Sequence, residues 1–265
     1  MKIISLASGS TGNAYCAVSG SDAVLVDCGI SDRELRRRLA KAGVAVKSVR
    51  AILFTHNHAD HIKGVATFHH RSPGVLLLSN MMTAEAISAA TGVDEEDFTI
   101  FENGQTFEIG PFSITAFSVP HDVPDAVGFT IEAGGFRYFH ATDAGTVHTL
   151  LKWHLSRADA AVLEFNHDPA MLAGSDRPFP LKQRIAGPSG HLSNDDAAEA
   201  VRESASPRLK ALALAHLSQE CNVPHLAVDA ANRALAEAGA EGVVVMALPA
   251  DEITTVYDGE SPQDA

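Results

Sequence analysis

The chain has 265 residues, 46% of them apolar, and carries 20 basic against 33 acidic side chains for a formal net charge of −13. That apolar content supports a core without a disulfide framework, and the three scattered cysteines, Cys16, Cys28 and Cys221, cannot build a cysteine zinc knuckle. The acidity disfavours non-specific nucleic-acid binding, no run approaches the ~20 apolar residues of a membrane span, and the brief apolar N-terminus is too short for a signal peptide, so a soluble cytoplasmic protein is expected.

Residues 2–6, 14–18 and 23–27 are short β-like runs, separated by Ser8-Gly9-Ser10-Thr11-Gly12-Asn13 and Ser19-Gly20-Ser21-Asp22. Ser31 with Glu34 forms a capping box that opens a helix, which turns Leu35 and Leu39 inward and stops at Gly43. Its run Arg33-Glu34-Leu35-Arg36-Arg37-Arg38 reads as a solvated helix face, and Arg177, Lys182 and Arg184 are the other candidates for a basic patch. Val49-Arg50-Ala51-Ile52-Leu53-Phe54 is a buried strand. A strand at 75–78 and a helix at 81–90 follow, then strands at 112–118, 128–132, 137–140 and 160–165. Ser193 with Asp196 opens a helix to about Glu203, 209–215 is a strand, and Asn222 with Pro224 starts a helix that ends at Gly239. Strands at 243–247 and 253–257 close the chain, and the polar tail 258–265 is expected to fray. No linker or composition break intervenes. Residues 1–265 therefore read as one domain, and strands followed by helices, twice over, suggest two sheets face to face with helices outside.

Directly after the strand that ends at Phe54 comes Thr55-His56-Asn57-His58-Ala59-Asp60-His61. Imidazole nitrogen and carboxylate oxygen are the donors that divalent transition metals favour, and packing gains nothing from four polar groups here. Helical spacing would separate His56 from His58, so these ligands are expected on a loop past a strand end and not on a zincin-type helix. The same pattern of apolar strand, ligand and turn recurs at His121, at Asp143 and at His216. It brings ligands from distant sequence to one sheet edge. His69, His70, His148, His154 and His225 lack that setting and read as non-ligands.

His56-x-His58-x-Asp60-His61 with His121, Asp143 and His216 resembles the metallo-β-lactamase superfamily, and Asp27 in Leu25-Val26-Asp27-Cys28-Gly29 resembles its first motif. The resemblance implies an α/β fold, an αββα four-layer sandwich of two mixed β-sheets flanked by helices, with metals in a cleft at one sheet edge. It implies two divalent ions. His56, His58 and His121 would hold one, Asp60, His61 and His216 the other, with Asp143 bridging and Asp27 supporting the site. The all N and O donor set suits Zn²⁺, Mn²⁺ or Fe²⁺. Asp143 stands where several β-lactamases carry Cys, which argues against a lactam substrate. His58 stands where di-iron relatives carry Glu, which argues against oxygen reduction.

Glu164, at the end of the 160–165 run, and His191, just before a helix start, suit a phosphodiester. A helix N-terminus beside an imidazole favours an oxyanion, and Glu164 would orient His191. The pair is similar to motifs of the β-CASP nucleases, whose inserted domain this chain is too short to hold. Together with the Ser8 to Asn13 loop, Glu164-x-Asn166-His167-Asp168, Gly190-His191-Leu192-Ser193-Asn194 and His216-Leu217-Ser218, it most closely resembles the YycJ/WalJ branch. That resemblance implies a 5′-to-3′ DNA exonuclease using a metal-bridging hydroxide. Asp60 would orient the water, and His191 would hold the phosphate or protonate the leaving oxygen. Ser10, Asn13, Asn166, Ser193 and Asn194 are candidate substrate contacts. Two alternatives remain: hydrolysis of a small thioester, lactone or cyclic phosphodiester, favoured by the acidity, and a non-catalytic metal-dependent interaction module.

Overall fold

The computed structural model describes residues 1–259. The first half of the chain runs β1 (Lys2–Ala7), β2 (Ala14–Ser19), β3 (Asp22–Val26), α1 (Asp32–Lys41), β4 (Val49–Leu53), α2 (Ala59–Ile62), α3 (Val65–Arg71), β5 (Leu76–Ser79), α4 (Met81–Thr91) and β6 (Phe98–Ile100). The second runs β7 (Thr106–Ile109), β8 (Phe112–Ser118), β9 (Val127–Ala133), β10 (Phe136–Ala141), α5 (Thr149–Leu155), β11 (Ala160–Glu164), α6 (Pro169–Gly174), α7 (Phe179–Ile185), α8 (Asn194–Ser204), β12 (Ala211–Ala215), α9 (Pro224–Glu237), β13 (Val244–Ala247) and β14 (Thr254–Asp258). Two mixed sheets of seven strands result, ordered β14-β1-β2-β3-β4-β5-β6 and β13-β12-β11-β10-β9-β8-β7. Each is antiparallel on one side and parallel on the other, changing over at β3 and at β10.

The period-2 alternation of side chains builds the layers. Ile3, Tyr15, Val24 and Leu53 of the first sheet meet Phe112, Ile114, Phe129, Tyr138 and Val162 of the second in one buried core. The intervening residues Ile4, Cys16, Leu25 and Ile52 face outward, under Leu35 and Leu39 of α1, Phe68 of α3 and Ile87 of α4. On the opposite side Phe139, Leu163 and Leu214 are covered by Leu155 of α5, Val201 of α8 and Ala231 of α9. The parallel strands β11 and β12 are buried along their whole lengths, as strands covered on both faces must be. Helices thus flank both sheets, as the sequence implies. No helix among the described residues is long and apolar enough to cross a membrane.

Three local expectations change. The 23–27 run stops at Val26, because Asp27 adopts a left-handed backbone with φ 62°. Arg38 is not solvated: it is buried, and its guanidinium donates to the Leu6 carbonyl at 2.6 Å. Asp258 ends a strand paired with Lys2, so the tail does not fray from there, and the remainder of that expectation, from 260 onward, lies outside the described residues.

Candidate metal centre

The centre lies where strands of both sheets reach their C-terminal ends. On the first sheet, Asp27 follows β3 and Thr55-His56 follows β4. Backbone hydrogen bonds stitch the turns together: Cys28 N to His61 O (2.8 Å), Gly29 N to Asn13 O (2.8 Å) and Asn13 N to Asp60 O (2.7 Å). The approach is so close that a Cβ on Gly29 would fall 1.7 Å from the Asp60 carbonyl oxygen. His56 and His58 lie in the expected loop, but Asp60 and His61 sit on the short helix α2, which His58 caps. The helix is a correction, and its reason is local: one turn started at His58 carries Asp60 and His61 into the cleft.

Asp27 is the hub on this side. Its Oδ1 accepts from Thr55 N (2.9 Å), and its Oδ2 accepts from Thr55 Oγ1 (2.8 Å) and His61 Nδ1 (2.7 Å). His56 Nδ1 donates in turn to Thr55 Oγ1 at 3.0 Å. These bonds select the tautomers, so Nε2 of both rings is left for the cleft. His61 Nε2 then lies 3.1 Å from Asp143 Oδ2 and 3.6 Å from Asp60 Oδ2. The Asn13 amide reaches both partners of that pair, 3.2 Å from Asp60 Oδ2 and 3.0 Å from His61 Nε2.

The second sheet places its residues one strand end at a time. Asp143 and His216, just past β10 and β12, take left-handed backbones with φ 57° and 56°. Such conformations cost on the order of 1–3 kcal/mol for a residue with a Cβ and persist where surrounding bonds enforce them. For His216, Ser8 Oγ accepts from its backbone N at 2.9 Å while also accepting from Tyr15 OH at 2.9 Å, which ties the turn to the first sheet. His121 Nδ1 donates to the Gly190 carbonyl at 3.1 Å. The fully buried Glu164 accepts from His191 Nδ1 (2.8 Å), His216 Nδ1 (3.0 Å), Ala144 N (2.8 Å) and Leu192 N (3.2 Å). Burial raises the Glu164 carboxyl, but His191 and the bonds from both imidazoles outweigh it and hold it at about 2.

Donor atoms converge in four groups, each within 4.8 Å: His56, His58 and His121; Asp60, His61 and His216; His56, His61 and Asp143; and Asp143, Glu164, His191 and His216. The residues fit divalent metals. Nε2 of His56, Nε2 of His216 and Oδ2 of Asp143 are buried and make no hydrogen bond; the last two meet only ligands of the same cluster, Asp60 Oδ2 at 3.5 Å and His61 Nε2 at 3.1 Å, and His56 Nε2 is left orphaned, a costly arrangement unless a cation accepts those lone pairs. The field has the right sign. Burial pulls the His61 imidazole down, yet Asp27 and Asp143 hold it up at about 10, and His216 is raised well above its usual range despite burial, chiefly by Asp143. Carboxylates that attract protons so strongly attract metal cations equally, and binding would release those protons. His56, in contrast, is pushed well down by burial and by His61, which leaves it a neutral donor.

A cleft of about 360 Å³ opens over these groups, lined by Ser10, His58, Asp60, Asp143, His191 and His216, with Arg177 and Arg184 at its side. Of the candidate substrate contacts only Ser10 lines it. Asn13 is buried against Asp60 and His61. Asn166, Ser193 and Asn194 are buried away from it: Asn166 donates to the His216 carbonyl (2.9 Å), Ser193 caps α8 at Asp196 N (3.0 Å), and Asn194 pairs with Asn222 (2.9 Å). Each is consumed in holding the loops that carry His191 and His216. Asp122 is a site residue that spacing does not single out. Its Oδ1 lies 3.4 Å from His121 Nε2 and 3.6 Å from His58 Nε2, and Arg184 grips its Oδ2 at 2.5 Å. An acid directly after a strand-end His is the signal that points to it. None of His69, His70, His148, His154 and His225 joins a donor group among the described residues.

Comparison with known proteins shows the family. Residues 22–216 match the family described as Beta-lactamase superfamily domain. The chain is 35% identical over 225 residues to Exodeoxyribonuclease WalJ of Streptococcus pneumoniae, covering 84% of this chain and 83% of that protein. It is 32% identical over 235 residues to Exodeoxyribonuclease YycJ of Bacillus anthracis, covering 88% and 89%. Among solved structures, the metallo-beta-lactamase fold protein YhfI of Bacillus subtilis superposes with a TM-score of 0.71 at 17% identity, over 96% of this chain and 99% of that one, a likeness of fold.

Proposed function

The chain belongs to the metallo-β-lactamase superfamily, in the branch of the WalJ and YycJ proteins, and on that premise we propose that it is a metal-dependent exonuclease hydrolysing phosphodiester bonds of DNA. The observation that carries the reading is the convergence of His56, His58, Asp60, His61, His121, Asp143 and His216 on one cleft, with three of their donor atoms buried and making no hydrogen bond. His56, His58 and His121 would hold one divalent ion and Asp60, His61 and His216 a second, with Asp143 available to both. Zn²⁺ and Mn²⁺ suit these donors, as does Fe²⁺. Ions bound there would lower the pKa of a shared water toward ~7 and neutralise charge growing on the phosphate.

The chain's own groups do the rest. Asp27 and Thr55 fix the rings of His61 and His56. Asp60, partly exposed to the cleft and 3.5 Å from His216 Nε2, orients the attacking water. His191 Nδ1 donates a hydrogen bond to Glu164 at 2.8 Å, and the residue lines the cleft. Burial lowers this imidazole, Glu164 raises it, and the raising prevails. Its protonated form is thus favoured, which suits it to hold the phosphate and protonate the leaving oxygen. Asn13, Asn166, Ser193 and Asn194 support these groups, and Ser10 meets the substrate. The names of the relatives favour DNA, and 5′-to-3′ digestion is part of the proposal. We read the chain, residues 1–265, as one hydrolase domain working in the cytoplasm, where three free buried cysteines are stable.

Metal-loaded protein should digest 5′-phosphorylated linear DNA progressively from one end, and its affinity for DNA should fall steeply between ~50 and ~200 mM salt. A D60A/H61A variant as active as wild type would overturn the reading. Salt-indifferent turnover of a small thioester or diester, with DNA left intact, would replace it with a small-molecule hydrolase.

A further inference from the structure

Between β11 and α8 the chain leaves the sheet and builds α6 and α7, which pack through Leu172, Leu181 and Ile185 on Cys221. Helix α7 is bound closely to the centre. His191 N donates to the Ile185 carbonyl at 2.8 Å, and a Cβ on Gly190 would lie 2.2 Å from the carbonyls of Arg184 and Ile185. Leu181, Arg184 and Ile185 of this helix line the cleft, as does Arg177 just before it. The opposite side of the helix presents Phe179, 70% exposed, the most exposed large apolar side chain among the described residues.

We propose that Phe179, on the face of α7 turned away from the cleft, and the cations of the same segment, Arg177, Lys182 and Arg184, form a platform beside the cleft, on which single-stranded DNA that leaves the cleft across this helix stacks a base. The inference deepens the nuclease reading and rests on it. Three observations support it. The first is charge: between Asp176 and the Asp195-Asp196 pair the segment from Arg177 to Asn194 holds Arg177, Lys182 and Arg184 and no acid, in a chain of net charge −13. The second is pre-organisation. Pro178 caps α7 and Pro180 sits in its first turn, so the backbone that carries the ring is already fixed. Stacking a base then orders only one short side chain. The third is availability. Arg184 is 62% exposed and is held by the single carboxylate of Asp122, Arg177 is 27% exposed and held by Glu220, itself 69% exposed, and Lys182 Nζ donates to the Ala173 carbonyl at 2.7 Å. Ion pairs of that kind are worth little, so backbone phosphates can replace the carboxylates. Guanidinium groups tracking phosphates beside an aromatic ring that takes a base is how single strands are bound without sequence preference.

Binding of a fluorescein-labelled phosphorothioate oligothymidine, which resists hydrolysis, would be followed by anisotropy on the metal-loaded protein. Hydrolysis of bis(p-nitrophenyl) phosphate, too small to cross the helix, would be measured alongside. Phe179→Ala should weaken oligothymidine binding about 5- to 100-fold, Phe179→Trp should retain it, and neither should change the small diester rate by more than about twofold. Oligothymidine binding by F179A within twofold of wild type, while wild type digests DNA, would overturn the platform alone. A wild type that hydrolyses the small diester yet neither binds nor digests DNA would overturn the nuclease reading as well.

Discussion

Two buried carboxylates stand behind the cleft, one from each sheet, and they hold their histidines differently. Asp27 fixes one ring directly, His61, and a second through the Thr55 hydroxyl, within turns that backbone hydrogen bonds already lock together. Glu164 reaches two rings from different loops, His191 and His216, and two backbone amides as well. Their electrostatics differ accordingly. Burial lifts the Asp27 carboxyl above the usual range against the pull of His61, whereas the two imidazoles drive Glu164 down to about 2. Where ligands are contiguous in sequence, the backbone positions them and the carboxylate sets a tautomer. Where they come from separate strands, one longer carboxylate must position several at once.

Replacing a donor on either side should have the largest effect and the same one. His61→Ala and His216→Ala should each lower DNA hydrolysis by ~10³-fold or more and remove metal from the protein, read by elemental analysis. If one variant kept near-wild-type turnover, the two halves would not serve one centre. Replacing the carboxylates should then separate the halves. Asp27→Asn should cost ~10–100-fold in metal affinity, as changes behind metal ligands do. Glu164→Gln should cost more in kcat, ~10²–10³-fold, because it disturbs His191 as well as His216. It should also move the alkaline limb of the pH–rate profile, where the His191 proton is lost, to lower pH, because Glu164 is what raises that imidazole against burial. Equal losses in both variants, with unchanged pH profiles, would erase the distinction. A smaller effect tests the backbone lock. Gly29→Ala must push its Cβ against the Asp60 carbonyl, so thermal unfolding should show a loss of ~1–3 kcal/mol, with metal affinity reduced mainly on the Asp60 and His61 side.

The same difference governs how far the sequence can be read. The cluster from His56 to His61 is legible because its donors are adjacent, and the sandwich because apolar strands alternate with capped helices. Helices α2, α3, α5, α6 and α7 are short, and their periodicity never completes two full repeats, so tertiary packing and not local pattern decides them. The left-handed turns at Asp27, Asp143 and His216 carry no glycine to announce them, since the conformation is imposed by bonds from distant residues such as Ser8. Asn166, Ser193 and Asn194 resemble substrate contacts because polar residues beside a catalytic His look alike in sequence. Only the fold reveals that their hydrogen bonds are already used. Asp122 is hidden for the opposite reason, since its role depends on Arg184 and His58, both far along the chain.

Acid should separate the two outer helix layers, though by less than any substitution at the centre. His154 of α5 is buried, stacked on Phe117 at 4.2 Å and 17°, with its Nδ1 2.9 Å from Thr130 Oγ1. Burial, then Arg137 and Arg157, push its imidazole from 6.5 down to about 4. The unfolded form therefore takes up a proton first, and this residue's contribution to stability is lost as pH falls from 6.5 through 4. Glu34 of α1 is the contrasting case. Hydrogen bonds from Arg37 and Arg38 hold its carboxyl at about 2 against an ordinary 4.5, so its contribution persists above 4.5 and is lost only below it. Amide hydrogen exchange between pH 6.5 and 4.5, corrected for intrinsic rates, should accordingly show protection falling in α5 while α1 holds. His154→Gln should remove the pH dependence from α5 and leave α1 unchanged. Parallel loss in both helices would mean that the sandwich opens as one unit under acid, and that its two halves differ only at the cleft.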